Sequence, residues 1–81
     1  MHIQLLRNPA VRDRVGLSRS EIHRLVSLGK FPPSIALGDR IRAWDSNEID
    51  AWIQARIAGK ADDEIRELIT RLVQARSEYA S

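Results

Sequence analysis

The sequence predicts a mainly helical protein carrying a small β-hairpin: a winged helix-turn-helix with one additional C-terminal helix. Three observations predict it. Helix-start signals at Asn8-Pro9 and at Ser18 are separated by the tight Val15-Gly16-Leu17 connection. Two β-prone stretches, Ile35-Ala36-Leu37 and Ile41-Arg42-Ala43-Trp44, flank a Gly38-Asp39-Arg40 turn. Two more helical periods then fill the rest of the chain.

Taken in order, Ile3, Leu5 and Leu6 are too few for a helix and read as a short strand or a core-anchoring arm. Asn8 is a preferred N-cap and Pro9 suits the first helical position, so a short helix starts there, buries Ala10, Val11 and Val15, and stops at Gly16. Ser18-Arg19-Ser20-Glu21 reads as a capping box, in which hydroxyl and carboxylate each satisfy the other's backbone N–H. The helix behind it buries Ile22, Leu25 and Val26 and ends at Gly29. Phe31-Pro32-Pro33 interrupts helix, since proline lacks an N–H and restricts the residue before it. In the hairpin that follows, Arg40 and Arg42 sit two residues apart and share one side of the second strand.

Asp45 caps the next helix, with Glu48 in the reciprocal position and Ile49, Trp52, Ile53 and Ile57 as the apolar stripe. Core packing is the reading for both Trp44 and Trp52. Gly59-Lys60 breaks the period, and Asp62-Asp63-Glu64 opens a last helix at its dipole-favoured end. There Ile65, Leu68, Leu72, Ala75 and Tyr79 recur in a three–four rhythm, flanked by Ile69 and Val73. The expected division is residues 1–59 as a winged helix-turn-helix and 60–81 as a C-terminal helical extension for oligomerisation or docking.

Composition narrows the function. With 81 residues, 43% hydrophobic and 30% charged, the chain is globular and long enough for one small domain. It has no cysteine, and its two histidines, His2 and His23, are too few for a structural zinc site. No apolar run approaches the roughly 20 residues that span a bilayer. A soluble intracellular protein is the expectation. No metal constellation, Gly-rich phosphate loop or acid–base pair stands out, so neither an enzyme nor a cofactor is expected. Charge is uneven. Residues 1–44 carry eight basic groups, seven of them arginine, against Asp13, Glu21 and Asp39, while residues 61–81 carry three arginines against five acids. A basic half of this kind suits a polyanion, and arginine suits bidentate contact with phosphate and guanine.

The capped helix from Asn8-Pro9, the sequence GLSRSEIHRLVSLGKFP and the segment IALGDRIRAWDSNEIDAWI together resemble the AlpA-like and excisionase-like small winged-helix proteins of the MerR-like superfamily. The likeness runs over about residues 3–58 and says nothing of the chain beyond Ala61. It implies a non-catalytic, DNA-binding protein of a phage, prophage or other mobile genetic element. Such a protein serves as transcriptional regulator, as excisionase (a recombination directionality factor), or as both. The resemblance places the recognition helix at Ser18 to Leu28 and the wing at Gly38-Asp39-Arg40.

With Ile22, Leu25 and Val26 inward, that helix presents Arg19, Ser20, His23, Arg24 and Ser27 on its other face. Arg24 is the leading candidate for guanine N7 and O6, Ser20 for phosphate, and Arg19 for either. His23 is either a DNA contact or plain surface. Arg40 on the wing is assigned to phosphate or minor groove and Arg42 to backbone, with Arg7, Arg12 and Arg14 as phosphate clamps beside the first helix. A module this small needs help to bind tightly. Ile65, Leu68, Leu72 and Tyr79 are the residues expected to supply it by oligomerisation, as a coiled coil or by docking on a neighbour, unless the helix folds back onto its own domain. The expected partners are double-stranded DNA, further copies of the chain on that DNA, and a cognate integrase. A different class of reading is a protein-interaction adaptor or antirepressor working through the last helix.

Overall fold

The structure is a computed structural model that describes residues 3–80; Met1, His2 and Ser81 lie outside the described residues. It is mainly helical with a small three-stranded antiparallel sheet, a winged-helix-like fold. The elements run β1 (Leu5–Leu6), α1 (Asn8–Val15), α2 (Arg19–Ser27), β2 (Ile35–Ala36), β3 (Arg42–Asp45), α3 (Ser46–Ile57) and α4 (Asp62–Ala75), closing with a 3₁₀ turn over Arg76–Ala80. The sheet order is β1-β3-β2, with Leu5 opposite Asp45 and Ile35 opposite Ala43. The hairpin thus gains a third strand from the N-terminal arm, and β3 is its centre.

Local signals set the helix ends. Gly16, in the left-handed region at φ 70°, closes α1 by donating to the Arg12 carbonyl, which lets α2 begin three residues later. After α2, Gly29 at φ 74° donates to Val26 and Lys30 donates to Leu25, the paired bonds that satisfy the last carbonyls of a helix. At α1 the cap is shifted from the expectation: Arg7 is the N-cap residue, Asn8 is already helical, and no side chain caps the first turn. Proline ahead of Ala10 explains the shift, because its missing N–H removes one of the donors a cap would serve.

Val11, Ile22, Phe31, Trp44, Ile49, Trp52, Ile65 and Ile69 form one core cluster. Phe31 and Trp52 meet edge to face at 4.8 Å between ring centroids. The Trp44 indole N–H donates to the Pro32 carbonyl at 2.9 Å and that of Trp52 to the Lys30 carbonyl at 2.7 Å. Each tryptophan therefore fills the core and ties down the link between α2 and the hairpin by satisfying one of its carbonyls, in a stretch where Pro32 and Pro33 have no N–H to pair.

The last helix folds back onto its own domain. Ile65 and Ile69 are 0% and 6% exposed and belong to the same core as Val11 and Ile22, so the packing does not divide at residue 59. The inward stripe runs through 65, 69 and 72 rather than 65, 68, 72, 75 and 79. Ile69, read as a flank, is core, and Tyr79 is exposed because the 3₁₀ turn takes it off the helical period. Ile65 therefore has no surface to offer an oligomer. Ile57 likewise leaves its stripe, 81% exposed in the last turn of α3.

α3 and α4 run antiparallel, and an ion pair sits at each end. At one end Asp62 meets Lys30 at 3.0 Å and Arg56 at 3.8 Å. At the other, Arg76 grips Glu48 with two bonds, Nε to Oε2 at 2.8 Å and Nη2 to Oε1 at 2.6 Å, and also donates to the Pro33 carbonyl at 2.8 Å. Glu48 is 4% exposed. Its expected role as reciprocal partner of the Asp45 cap is thus corrected: Asp45 Oδ1 accepts from the Asn47 and Glu48 N–H groups, but the Glu48 carboxylate is spent on Arg76. The carboxylate's hydrogen bond raises the Arg76 pKa above the ordinary arginine value, against the pull of partial burial.

Candidate nucleic-acid interface

The second helix is built to show one face. Ser18 accepts the Glu21 N–H at 3.2 Å, but its own hydroxyl donates to the Glu21 carboxylate at 3.1 Å. Only one half of the expected capping box forms, because the carboxylate takes the hydroxyl proton instead of reaching the Ser18 backbone. With Ile22 buried beneath it, α2 leaves Arg19, Ser20, His23, Arg24 and Ser27 all exposed. Ser27 Oγ donates to the Arg24 carbonyl at 2.7 Å, so it presents acceptor lone pairs outward and no free proton.

The first turns of α2, the start of α1 and the wing enclose an open groove of about 950 Å³. Arg19, Ser20, His23, Arg40 and Arg42 line it, together with Arg7, Asn8 and Pro9 from the start of α1 and Ser34 and Trp44 from the hairpin. Five of the seven expected DNA-contact residues are thus gathered in one place. Arg24 and Ser27 lie farther along α2, outside the groove but on the same exposed helix.

The two hairpin arginines line this groove together, as their spacing suggested, but in different circumstances. β3 begins at Arg42, so Arg40 belongs to the turn and not to the strand. Arg42 is held, with Nε on Ser34 Oγ at 2.6 Å and Nη2 on the Ser34 carbonyl at 3.2 Å. Ser34 was not singled out in the sequence, because a serine after two prolines carries no spacing signal. Arg42 is in consequence first a brace across the base of the wing, while Arg40 has no partner among the described residues. Arg14, expected beside Arg7 and Arg12 as a phosphate clamp, is paired with Asp50 of α3.

Among the described residues, Arg7, Arg12, Arg19, Arg24 and Arg40 make no ion pair and donate no side-chain hydrogen bond. All five belong to the first half of the chain. After residue 44 only Arg71 is in that state; Arg56, Lys60, Arg66 and Arg76 each face a carboxylate. No group of three or more metal-binding side chains occurs among the described residues, and no helix among them is long and apolar enough to cross a membrane. The arrangement is a concave surface of uncompensated guanidinium groups around an exposed helix face. Such a surface can bind a chain of phosphates and probe what lies between them.

Comparison with known proteins bears on this surface. A family model described as "Prophage CP4-57 regulatory protein (AlpA)" matches residues 4–57. An uncharacterized protein of Enterobacteria phage P4, ORF88, is 46% identical over 57 residues, which amounts to 70% of this chain and 65% of the phage protein. The chain thus spans less than two thirds of that relative's length. The family match takes in β1, α1, α2, the wing and α3, and stops short of α4.

Proposed function

The chain belongs to the AlpA family of phage regulatory proteins, and on that premise we propose that it is a sequence-specific double-stranded DNA-binding protein of a phage or integrative element. It acts as transcriptional regulator, as excisionase, or as both. The observation that carries this reading is the set of five arginines without acidic partners, two of them on the exposed face of α2 and one on the wing. An unpaired guanidinium keeps its donors for a phosphate or a base edge and breaks no ion pair on binding.

In this reading α2 lies in the major groove. Arg24 makes the bidentate contact with guanine, Arg19 and Ser20 sit where the helix start meets the backbone, and His23 faces the same groove. The wing lies across the backbone, with Arg40 at the phosphates or the adjacent minor groove. Self-association on DNA belongs to the reading as well. Since Ile65 and Ile69 are taken by the core, Val73 and Tyr79 are the apolar side chains that the C-terminal segment leaves exposed for it. A cognate integrase is the further partner if the protein drives excision.

The test is a footprint and mobility-shift titration of the purified protein on DNA surrounding its own gene, at low and physiological salt. Affinity should fall by about a hundredfold or more over that range if several phosphates are neutralised. Protection over closely spaced repeats indicates cooperative assembly of the excisionase type, and one short palindromic footprint indicates a dimeric regulator. Absence of any salt-sensitive binding sinks the DNA reading and leaves the adaptor.

A further inference from the structure

The tip of the wing is more apolar than a contact with backbone phosphates requires. In the hairpin Ile35 pairs with Ala43 and Ala36 with Arg42, and the Leu37 N–H donates to the Ile41 carbonyl at 2.7 Å. Leu37 and Ile41 are therefore the next opposed pair outward, closing the turn of Gly38, Asp39 and Arg40. Residues two apart along a strand share a face, so this pair continues the line of Ile35 and Ala43. Ala43 is fully buried, but the line overshoots the core: Leu37 is 46% exposed and Ile41 45%. Two branched apolar side chains are opposed at the base of the turn, next in sequence to Arg40, whose guanidinium has no partner among the described residues.

We infer that Leu37 and Ile41 form a wedge that enters the minor groove of duplex DNA, unstacks one base step and kinks the duplex, with Arg40 anchoring it at the groove edge. This deepens the DNA-binding reading and rests on it. Size argues for this occupant. Two half-exposed side chains fall far below the roughly 800 Å² per partner of a stable protein interface, whereas one or two apolar side chains suffice to open a base step. Charge argues the same way, since a narrow minor groove concentrates negative potential and Arg40 has no other partner among the described residues. One group opposes it: Asp39, at the apex, carries a charge the phosphates repel. Asp39→Asn should accordingly tighten binding by a few-fold.

The test uses the full chain and a short duplex that the protein itself selects from a random pool. The duplex is labelled at its ends with a fluorescence-transfer pair and substituted at successive steps with 2-aminopurine. Wild type should bring the ends together and raise 2-aminopurine fluorescence at one step. The Leu37→Ser, Ile41→Ser double variant should lose both signals while its affinity stays within about tenfold of wild type. Should that variant not fold, judged by circular dichroism, the wild-type 2-aminopurine signal and the two single variants decide the question. Wild type binding without either signal, or a folded double variant that still kinks the duplex, overturns the wedge and leaves the DNA-binding reading standing. If wild type binds no duplex at all, both fall. A wild-type oligomer that the double variant dissociates in size-exclusion chromatography would assign the pair to a second copy instead, and overturn the inference.

Discussion

Arg24 and Arg76 show the same side chain in opposite circumstances. Arg24 stands on the outer face of α2, exposed and without a partner among the described residues. Arg76 closes the C-terminal segment with two bonds to the buried Glu48 and a third to the Pro33 carbonyl. The contrast extends to the regions around them, since the cations of the first half are mostly unpaired and those of the second mostly face carboxylates. A hydrated, unpaired arginine adds almost nothing to stability, and a cluster of them costs a little through mutual repulsion. An arginine held by two bonds on a buried carboxylate is bound into the fold, because its removal strands that carboxylate's charge. One half is thus organised to meet something outside the molecule, and the other to hold the molecule together.

The sharpest way to break this comparison is at the core that joins the halves. Ile65→Ala should cost about 2–5 kcal/mol, as expected for a fully buried isoleucine, and urea denaturation should show the whole chain unfolding at a lower midpoint in one transition. If instead only the helical signal of α4 is lost while residues 3–58 stay folded, the C-terminal helix is an appendage after all. Next in size is Arg76→Ala, expected to lose about 3 kcal/mol because Glu48 remains buried without its counter-charge. At a temperature where it stays folded, its DNA affinity should be near that of wild type.

The opposite pattern is expected of Arg24→Ala and Arg40→Ala. Each should leave the unfolding midpoint within about 0.5 kcal/mol of wild type. Arg24→Ala should weaken cognate binding by about 1–3 kcal/mol and relax specificity, while Arg40→Ala should reduce the salt slope by about one. Equal binding by both variants and wild type would discard the docking of α2 and the wing. The smallest effect concerns Asp62, whose carboxyl lies below the ordinary aspartate value of 3.8, chiefly through its hydrogen bond and charge contact with Lys30. A lowered carboxylate stabilises the fold above its ordinary pKa and loses that contribution as pH falls through the lowered value. Asp62→Asn should therefore remove part of the acid sensitivity below about pH 4 and change little at neutrality. Acid denaturation followed by tryptophan fluorescence reads this directly.

Much of the fold was legible because its signals are local. Ser18 and Asp45 cap helices that start beside them, and glycines 16 and 29 end helices at the turns they themselves form. The exposed face of α2 was equally legible, since burying Ile22 at helical spacing commits residues 19, 20, 23, 24 and 27 to the outside. The legible signals misled where a residue had two uses. Glu48 fits a capping box three residues from Asp45, yet its carboxylate goes to a partner 28 residues away. Arg42 looks like a sibling of Arg40 by spacing, yet Ser34 holds it. Sequence distance carries no record of such encounters.

By itself the sequence determined the order and ends of most helices, the existence of the wing, the solvent face of the second helix and the basic character of the first half. Those properties follow from hydrogen bonds between near neighbours, from helical spacing and from composition, all of which are properties of the chain before it folds. The tertiary structure alone decided which arginines remain free, that the last helix shares the core with α2, and that Leu37 and Ile41 run past the core's edge. Each of these depends on what a side chain meets across the molecule: a carboxylate that neutralises it, an apolar surface that covers it, or only water.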